Sequence, residues 1–451
     1  MLEAKIIDKV EEKKEKIIEL LATLVKIPSL TGEERDAQEF VAGYLKNLGL
    51  KVDVWEPDIK ELFDRYPDVA QYPSHWQHDL ILPYQNLPSY VDLVKSGKMN
   101  VLNYKNRPNV VGTWKGSGEG GRSLILNGHI DTVTVEPRDE WTHEPFGAEI
   151  EDGKMYGRGV SDMKSGIVAA MVAMECLIEL GVKLRGGVIF ESVVNEEHAG
   201  NGTLACVARG ITADAAIITE PTKNTVRLGN AGGVYWGVKA KGRSKPTGAR
   251  WKGREQDGIS AIEKLPRVID SLLDMERKLN SDSRHPHLPD QNSFSLVMGR
   301  VHGGHYDTVT ASECTLNGST YFGSEVGSVA EVMDYIKGAI SEANRKDQWL
   351  AEVPSEVFFL HHDDPSDIEE KEPIIQTLCS AVESVIGERP PVYRGTAACD
   401  MRHLINQGKI PTTVFGPGWG DQVHKPDEFI PIDSMVPCAK TLALTIYEWC
   451  K

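Results

Sequence analysis

At 451 residues the chain exceeds what one ordinary hydrophobic core supports, so two domains are expected. A hydrophobic content of 40% and a charged content of 26% describe a soluble globular protein. The formal net charge of −16 speaks against nucleic acid or an anionic membrane as partner, since either needs a basic face. No apolar run approaches membrane-spanning length. The seven cysteines are scattered, odd in number and free of CxxC pairs, which predicts reduced, mostly buried thiols in a cytoplasmic protein.

In chain order, Ile6, Val10, Ile17, Leu20, Leu21 and Leu24 recur at helical spacing and predict an amphipathic first helix, too charged for a signal peptide. The stretch from Trp55 to Lys105 is rich in Pro, Tyr and Trp. It is too aromatic for a disordered linker and too irregular for a clear element, so it reads as an ordered surface excursion. "NVVGTW" (109–114) and "SLILNG" (123–128) are strands. Between them, "KGSGEGG" (115–121) opens no helix and lacks a GK[ST] ending. It is expected to be a flexible hairpin turn, and a dinucleotide-binding reading falls with it. A helix "SGIVAAMVAMECLIEL" (165–180) and strands "GVIFESVVNEE" (187–197) and "AAIITE" (215–220) follow. This alternation indicates an α/β domain with a mostly parallel sheet, whose strands carry catalytic groups at their carboxyl ends.

The texture changes near Leu228. "YWGVKAKG" (235–242), "FSLVMGRV" (294–301) and "CTLNGSTYF" (314–322) alternate like half-buried strands, with helical segments at 258–279 and 329–346. An inserted α+β domain over 228–344 is predicted. "EVFFLHH" (356–362) and "TTVFGPG" (412–418) are expected to resume the first sheet, and "AKTLALTIYEWC" (439–450) to close the chain as a helix. The first domain is then discontinuous, 1–227 and 345–451, with hinges near Leu228 and Asn344.

Five stretches carry chemistry. "LILNGHIDTVTV" (124–135) ends an apolar strand in His129 and Asp131, which alternation puts on one side. "GRGVSDMKSG" (157–166) places Asp162 just before the long helix. "NEEHAGNG" (195–202) supplies Glu196 and Glu197, "IITEPT" (217–222) Glu220, and "GPGWGDQVHKPDEFI" (416–430) His424. Each has an ordinary reading alone: a helix N-cap, a solvated strand end, a loop histidine. Together, imidazole and carboxylate are the usual ligand set of catalytic Zn²⁺ and related ions. Two histidines and three carboxylates suffice for two ions sharing one bridging carboxylate. A spare glutamate can then act as base on water, as in two-metal hydrolases with ions roughly 3.5–4 Å apart.

The order HxD, GRGxxDMK, xEExxG, EPT and GPG…H, with the lead-in "WTHEPFGAEIEDGKMYGRG" (141–159), resembles the acetylornithine deacetylase / succinyl-diaminopimelate desuccinylase family of dinuclear zinc amidohydrolases and exopeptidases. The resemblance covers nearly the whole chain apart from the Trp55–Lys105 excursion. It implies that Asp162 bridges two divalent ions, zinc foremost, with cobalt or manganese as alternatives. His129 and Glu220 complete one site, Glu197 and His424 the other. Asp131 orients His129 and Glu196 is the general base. The implied fold is a zinc-binding domain carrying an inserted lid domain through which two copies dimerise. The implied activity is hydrolysis of a linear amide in a small molecule, most simply deacylation of an N-acyl amino acid or related N-acyl amine through metal-bound hydroxide. A dipeptidase or carboxypeptidase is the near alternative. A non-catalytic, metal-stabilised binding protein is the alternative of another class, and the presence of Glu196 beside all five ligands speaks against it.

The chain also departs from the family pattern. "GRSKPTGARW" (242–251) has Pro246 where relatives carry a lid histidine that reaches the substrate carbonyl; Arg250 is kept. "LNGSTYFGSE" (316–325) lacks the arginine that grips a substrate carboxylate in many relatives. Arg250, and His302 or His305 of "GRVHGGHYDTV" (299–309), are the expected replacements at the substrate, His305 foremost, from the same chain or from a partner subunit.

Overall fold

The computed structural model describes residues 2–69, 103–118, 120–284 and 292–451. Nine strands among these form a large sheet in the order Lys51–Trp55, Asn109–Trp114, Val188–Val193, Leu124–His129, Ala215–Ile218, Thr412–Val414, Val226–Asn230 and Ser366–Asp367, with Val392–Arg394 also paired to Val226–Asn230. Its centre is parallel: Leu124–His129 runs parallel to both neighbours, and Ala215–Ile218 to Thr412–Val414. The carboxyl ends of these strands therefore open at one edge.

The helix Ser165–Glu179 is buried from Ser165 to Leu177. It is apolar on nearly every side, Glu175 and Glu179 near its end excepted, because it lies beneath the helices Leu2–Glu11, Lys14–Val25 and Met435–Cys450. The N-terminus forms two helices rather than one. The charged run between Val10 and Ile17 brings no apolar contact, and Lys13 turns to Glu175 (3.2 Å) and Glu179 (2.6 Å) instead. "KGSGEGG" is not a hairpin turn: the strands it joins both flank Val188–Val193. Its glycines serve a close crossing, because a Cβ at Gly116 would lie 1.9 Å from the Arg185 carbonyl oxygen. In the excursion, the helix Ile59–Arg65 is capped by Asp58, which accepts from Lys60 N and Glu61 N. The rest of that expectation, 70–102, lies outside the described residues.

A second, antiparallel sheet has the order Phe294–Gly303, Glu313–Phe322, Gly232–Lys241 and Glu356–Asp363. Val234, Trp236, Val238 and Ala240 face the helices Leu265–Asp282 and Val329–Lys346, so the odd-numbered residues between them face away. The strand containing "EVFFLHH" thus belongs to this sheet and does not resume the first. Leu228 lies inside a large-sheet strand and Asn344 inside a helix, so neither is a junction. The chain crosses between sheets at Ala231 and again at Asp364–Pro365, where Ser366 pairs with Asn230. All seven cysteines are buried and free. No helix among the described residues is long and apolar enough to cross a membrane.

Candidate active site

His129 is the last residue of its strand, Glu220 lies two residues past Ala215–Ile218, and Glu196 and Glu197 follow Val188–Val193. All three positions sit at the shared carboxyl edge. Asp162 lies in the turn that opens the buried helix. That helix can approach the strand end bearing Glu220 because residue 166 is glycine: a Cβ there would lie 1.8 Å from the Thr219 carbonyl oxygen. His424, with a left-handed φ of 62°, comes from the loop after Thr412–Val414.

These groups converge. His129 Nε2 lies 3.0 Å from Asp162 Oδ1, 3.3 Å from Glu220 Oε1 and 3.9 Å from Glu196 Oε2. His424 Nε2 lies 3.0 Å from Glu197 Oε2 and 3.3 Å from Asp162 Oδ2. The two oxygens of Asp162 thus face different imidazoles. Ligand atoms of His129, Glu196 and Glu220, and of His129, Asp162 and Glu197, each fall within 4.8 Å of one another. Four carboxylates gathered around two imidazoles form a nitrogen and oxygen donor set that suits two divalent ions sharing Asp162.

The local field has the same sense. Burial disfavours charge on both imidazoles, yet Glu220 and Asp162 raise the pKa of His129, and Glu197 and Asp162 raise that of His424 to about 11. Burial pushes Glu220 up to about 7, with Asp162 adding to it. Burial also raises Glu196 well above the usual carboxylate range; Asp400, Glu220 and Glu197 act with it and His129 against it. Burial works to raise Asp162, but the two imidazoles hold it below that range.

Supporting contacts fix the ligands. His129 Nδ1 donates to the main-chain carbonyl of Asp131 (3.0 Å), which leaves Nε2 facing the carboxylates. The Asp131 carboxylate, expected to orient His129, stands 3.8 Å from Nδ1. It accepts instead from Glu196 N (3.1 Å), Glu197 N (3.3 Å) and Thr31 Oγ1 (2.8 Å), and so shapes the turn that carries both glutamates. Glu428, unremarked in the sequence although four residues past His424, accepts from Arg158 Nη1 (2.8 Å) and from the N–H groups of Gly159 (3.1 Å), Ser161 (2.9 Å) and Asp162 (3.1 Å). It ties the Asp162 turn to the His424 loop.

The expected lid groups lie elsewhere. A cavity of about 880 Å³ adjoins Asp162, Glu196, Glu197, Glu220 and His424, and neither Arg250 nor His305 lines it. Arg250 pairs with Glu263, and His302 and His305 are exposed. Pro246 bridges to Val309 in the same outlying region. From the small sheet, the cavity receives Tyr235, Tyr321, His361 and Asp363. Alternation in "GVYWGVKAKG" separates Tyr235 from its core-facing neighbours; which face meets the ligands depends on how the sheets pack.

Comparison with known proteins follows the same line. The family model described as Peptidase family M20/M25/M40 matches residues 125–448. The N-formyl-4-amino-5-aminomethyl-2-methylpyrimidine deformylase of Halalkalibacterium halodurans is 30% identical over 98% of this chain and 96% of its own length. The acetylornithine deacetylase of Edwardsiella ictaluri is 28% identical over 78% of this chain and 86% of its own. Among solved structures, an aminopeptidase PepT from Bacillus cereus shares the fold with a TM-score of 0.69 at 18% identity, over 97% of this chain and 99% of that one. With a family model spanning most of its length and a full-length relative at this identity, the chain belongs to peptidase family M20/M25/M40 and is a metal-dependent hydrolase of amide bonds.

Proposed function

We propose that the chain removes a formyl or similarly small acyl group from a primary amine borne on a flat nitrogen heterocycle, with two divalent ions, zinc foremost. The observation that carries the metal-dependent hydrolysis is Asp162, with one oxygen toward His129 and the other toward His424, and Glu196 beside them. The heterocyclic amine is supported by similarity to the Halalkalibacterium halodurans deformylase. His129, Glu220 and Asp162 would hold one ion, and Glu197, His424 and Asp162 the other. When bound, such ions supply Lewis acidity toward the acyl carbonyl and toward water.

The chain's own groups carry the protons. Glu196 takes one from the attacking water at a carboxylate oxygen and returns it to the departing amine nitrogen as the C–N bond breaks. Asp131 holds Glu196 in place through its main-chain N–H. Water is consumed, and the acid and the free amine leave. The same reading keeps the protein in the cytoplasm, where its free thiols stay reduced. It also pairs two copies through the outer strand of the small sheet, which exposes Val297 (56%) and Val301 (52%). The test is release of formate from N-formyl-4-amino-5-aminomethyl-2-methylpyrimidine by zinc-loaded protein, with chelator-treated and Glu196→Gln controls. Fully metallated protein that releases neither formate nor acetate from any N-acyl amine would refute it.

A further inference from the structure

Opposite the ligand cluster, the cavity wall is the small sheet. Tyr235 is the direct cross-strand partner of His361, and their rings lie 5.6 Å apart. The register shift between Phe359 and His361 makes this possible. Without the bulge the two residues would share a face, and His361 would join Phe359 against the helices. Tyr321, on the next strand, sets its hydroxyl 2.6 Å from that of Tyr235, with the rings edge to face. Beside them Gly233 leaves room: a Cβ there would lie 3.5 Å from the Tyr321 ring and 3.4 Å from Asp363 Oδ2.

Two ion pairs already sit on this wall. Asp363 Oδ1 lies 3.3 Å from His361 Nε2 and 3.3 Å from Arg402 Nη2. Arg394 pairs with Glu325. Arg227 donates to the Pro221 carbonyl (3.3 Å) and lies over the Tyr393 ring, while its buried Nε has no hydrogen-bond partner among the described residues. A free carboxylate entering here would gain a guanidinium fork from Arg402 or Arg394 only by displacing one of these ion pairs, and would find at Arg227 a single unpartnered N–H. An uncharged flat ring with nitrogen donors and acceptors would displace none, and would meet aromatic surface, hydroxyls and an imidazole.

We propose that Tyr235, Tyr321 and His361 form the subsite that reads the amine half of the substrate, selecting a flat, uncharged, nitrogen-bearing aromatic ring over an amino-acid carboxylate. This rests on the N-acyl amine hydrolysis proposed above.

The test compares zinc-loaded wild type, Tyr235→Phe and Tyr321→Phe, with metal content checked, on three substrates: N-formyl-4-amino-5-aminomethyl-2-methylpyrimidine, N-formylbenzylamine and N-formylphenylalanine. The pyrimidine should have the highest kcat/KM and N-formylphenylalanine the lowest. Loss of a hydroxyl should raise KM for the pyrimidine about three- to tenfold and move that for N-formylbenzylamine less than about twofold. Equal losses on both ring substrates, no loss on the pyrimidine, or a preference for N-formylphenylalanine would overturn the assignment. If wild type hydrolyses none of the three, the function reading fails for this substrate class, and calorimetric titration with free 4-amino-5-aminomethyl-2-methylpyrimidine decides the subsite separately. Binding weakened by Tyr321→Phe upholds it; absent or unchanged binding overturns it.

Discussion

Replacing Glu428 with glutamine should destabilise the fold and loosen the metal site together. The carboxylate is 1% exposed, and its two oxygens take four donors: Ser161 N and Asp162 N on Oε1, Gly159 N and Arg158 Nη1 on Oε2. An amide keeps one oxygen. Two donors lose their acceptor, and Arg158, also 1% exposed, loses its counter-charge. An unsatisfied buried donor costs about 1–3 kcal/mol, and removing one partner of a buried ion pair about 3–5 kcal/mol. These costs overlap, because Arg158 enters both, so a loss of about 4 kcal/mol is expected. Urea unfolding of the apo protein measures it. Competition with a chelator should show metal affinity down by about 10–100-fold, since the Asp162 turn and the His424 loop lose their common anchor. A Glu428→Gln protein within about 1 kcal/mol of wild type and with unchanged metal affinity would refute the reasoning.

Glu196→Gln should retain both ions while turnover falls by roughly 10²–10⁴, measured by metal analysis alongside steady-state rates. His129→Ala and His424→Ala should each lose about one ion per chain, and full occupancy in both would sink the ligand assignment. Arg250→Ala and His305→Ala should keep kcat within about threefold, because neither side chain lines the cavity of its own chain; a larger loss would reveal a donor delivered by a second copy. Burial, with Asp400 adding, pushes Glu191 up to about 7, above its ordinary 4.5. Its contribution to stability is therefore complete below pH 4.5 and is lost as pH rises through 7. Glu191→Gln should leave stability unchanged at pH 4 and raise it at pH 8 by up to about 3 kcal/mol, read from urea midpoints across that range.

What could be read from the sequence was local. His129, Glu196, Glu197 and Glu220 each end an apolar run, and a strand end in a parallel sheet is a defined place in space even before its neighbours are known. Strand partners are not local. Alternation in "EVFFLHH" identifies a strand but not its sheet, so Glu356–Asp363 was expected beside the wrong neighbours. A glycine-rich link between two strands looks like a hairpin until a third strand is found between them. Arg250 drew attention through the family pattern and His305 through its flanking residues, whereas Tyr321 and His361 reach the cavity through a register offset and a bulge that no local pattern reveals. Asp131 was expected to orient His129 with its carboxylate; its main-chain carbonyl accepts from His129 Nδ1, and the carboxylate accepts from Glu196 N.

The two crossings between the sheets lie side by side. Asn230 Nδ2 donates to the carbonyls of Ala231 (3.0 Å) and Asp364 (3.2 Å), so the outgoing and returning strands are stitched at one point. Beside this point the ion pairs of Arg402 with Asp363 and of Arg394 with Glu325 also join the two bodies. With the crossings stitched at one point, any change in the angle between the sheets would carry Tyr235, Tyr321 and His361 together relative to Asp162 and His424. The distance from that wall to the ligand cluster would then be set by one angle rather than by each side chain separately.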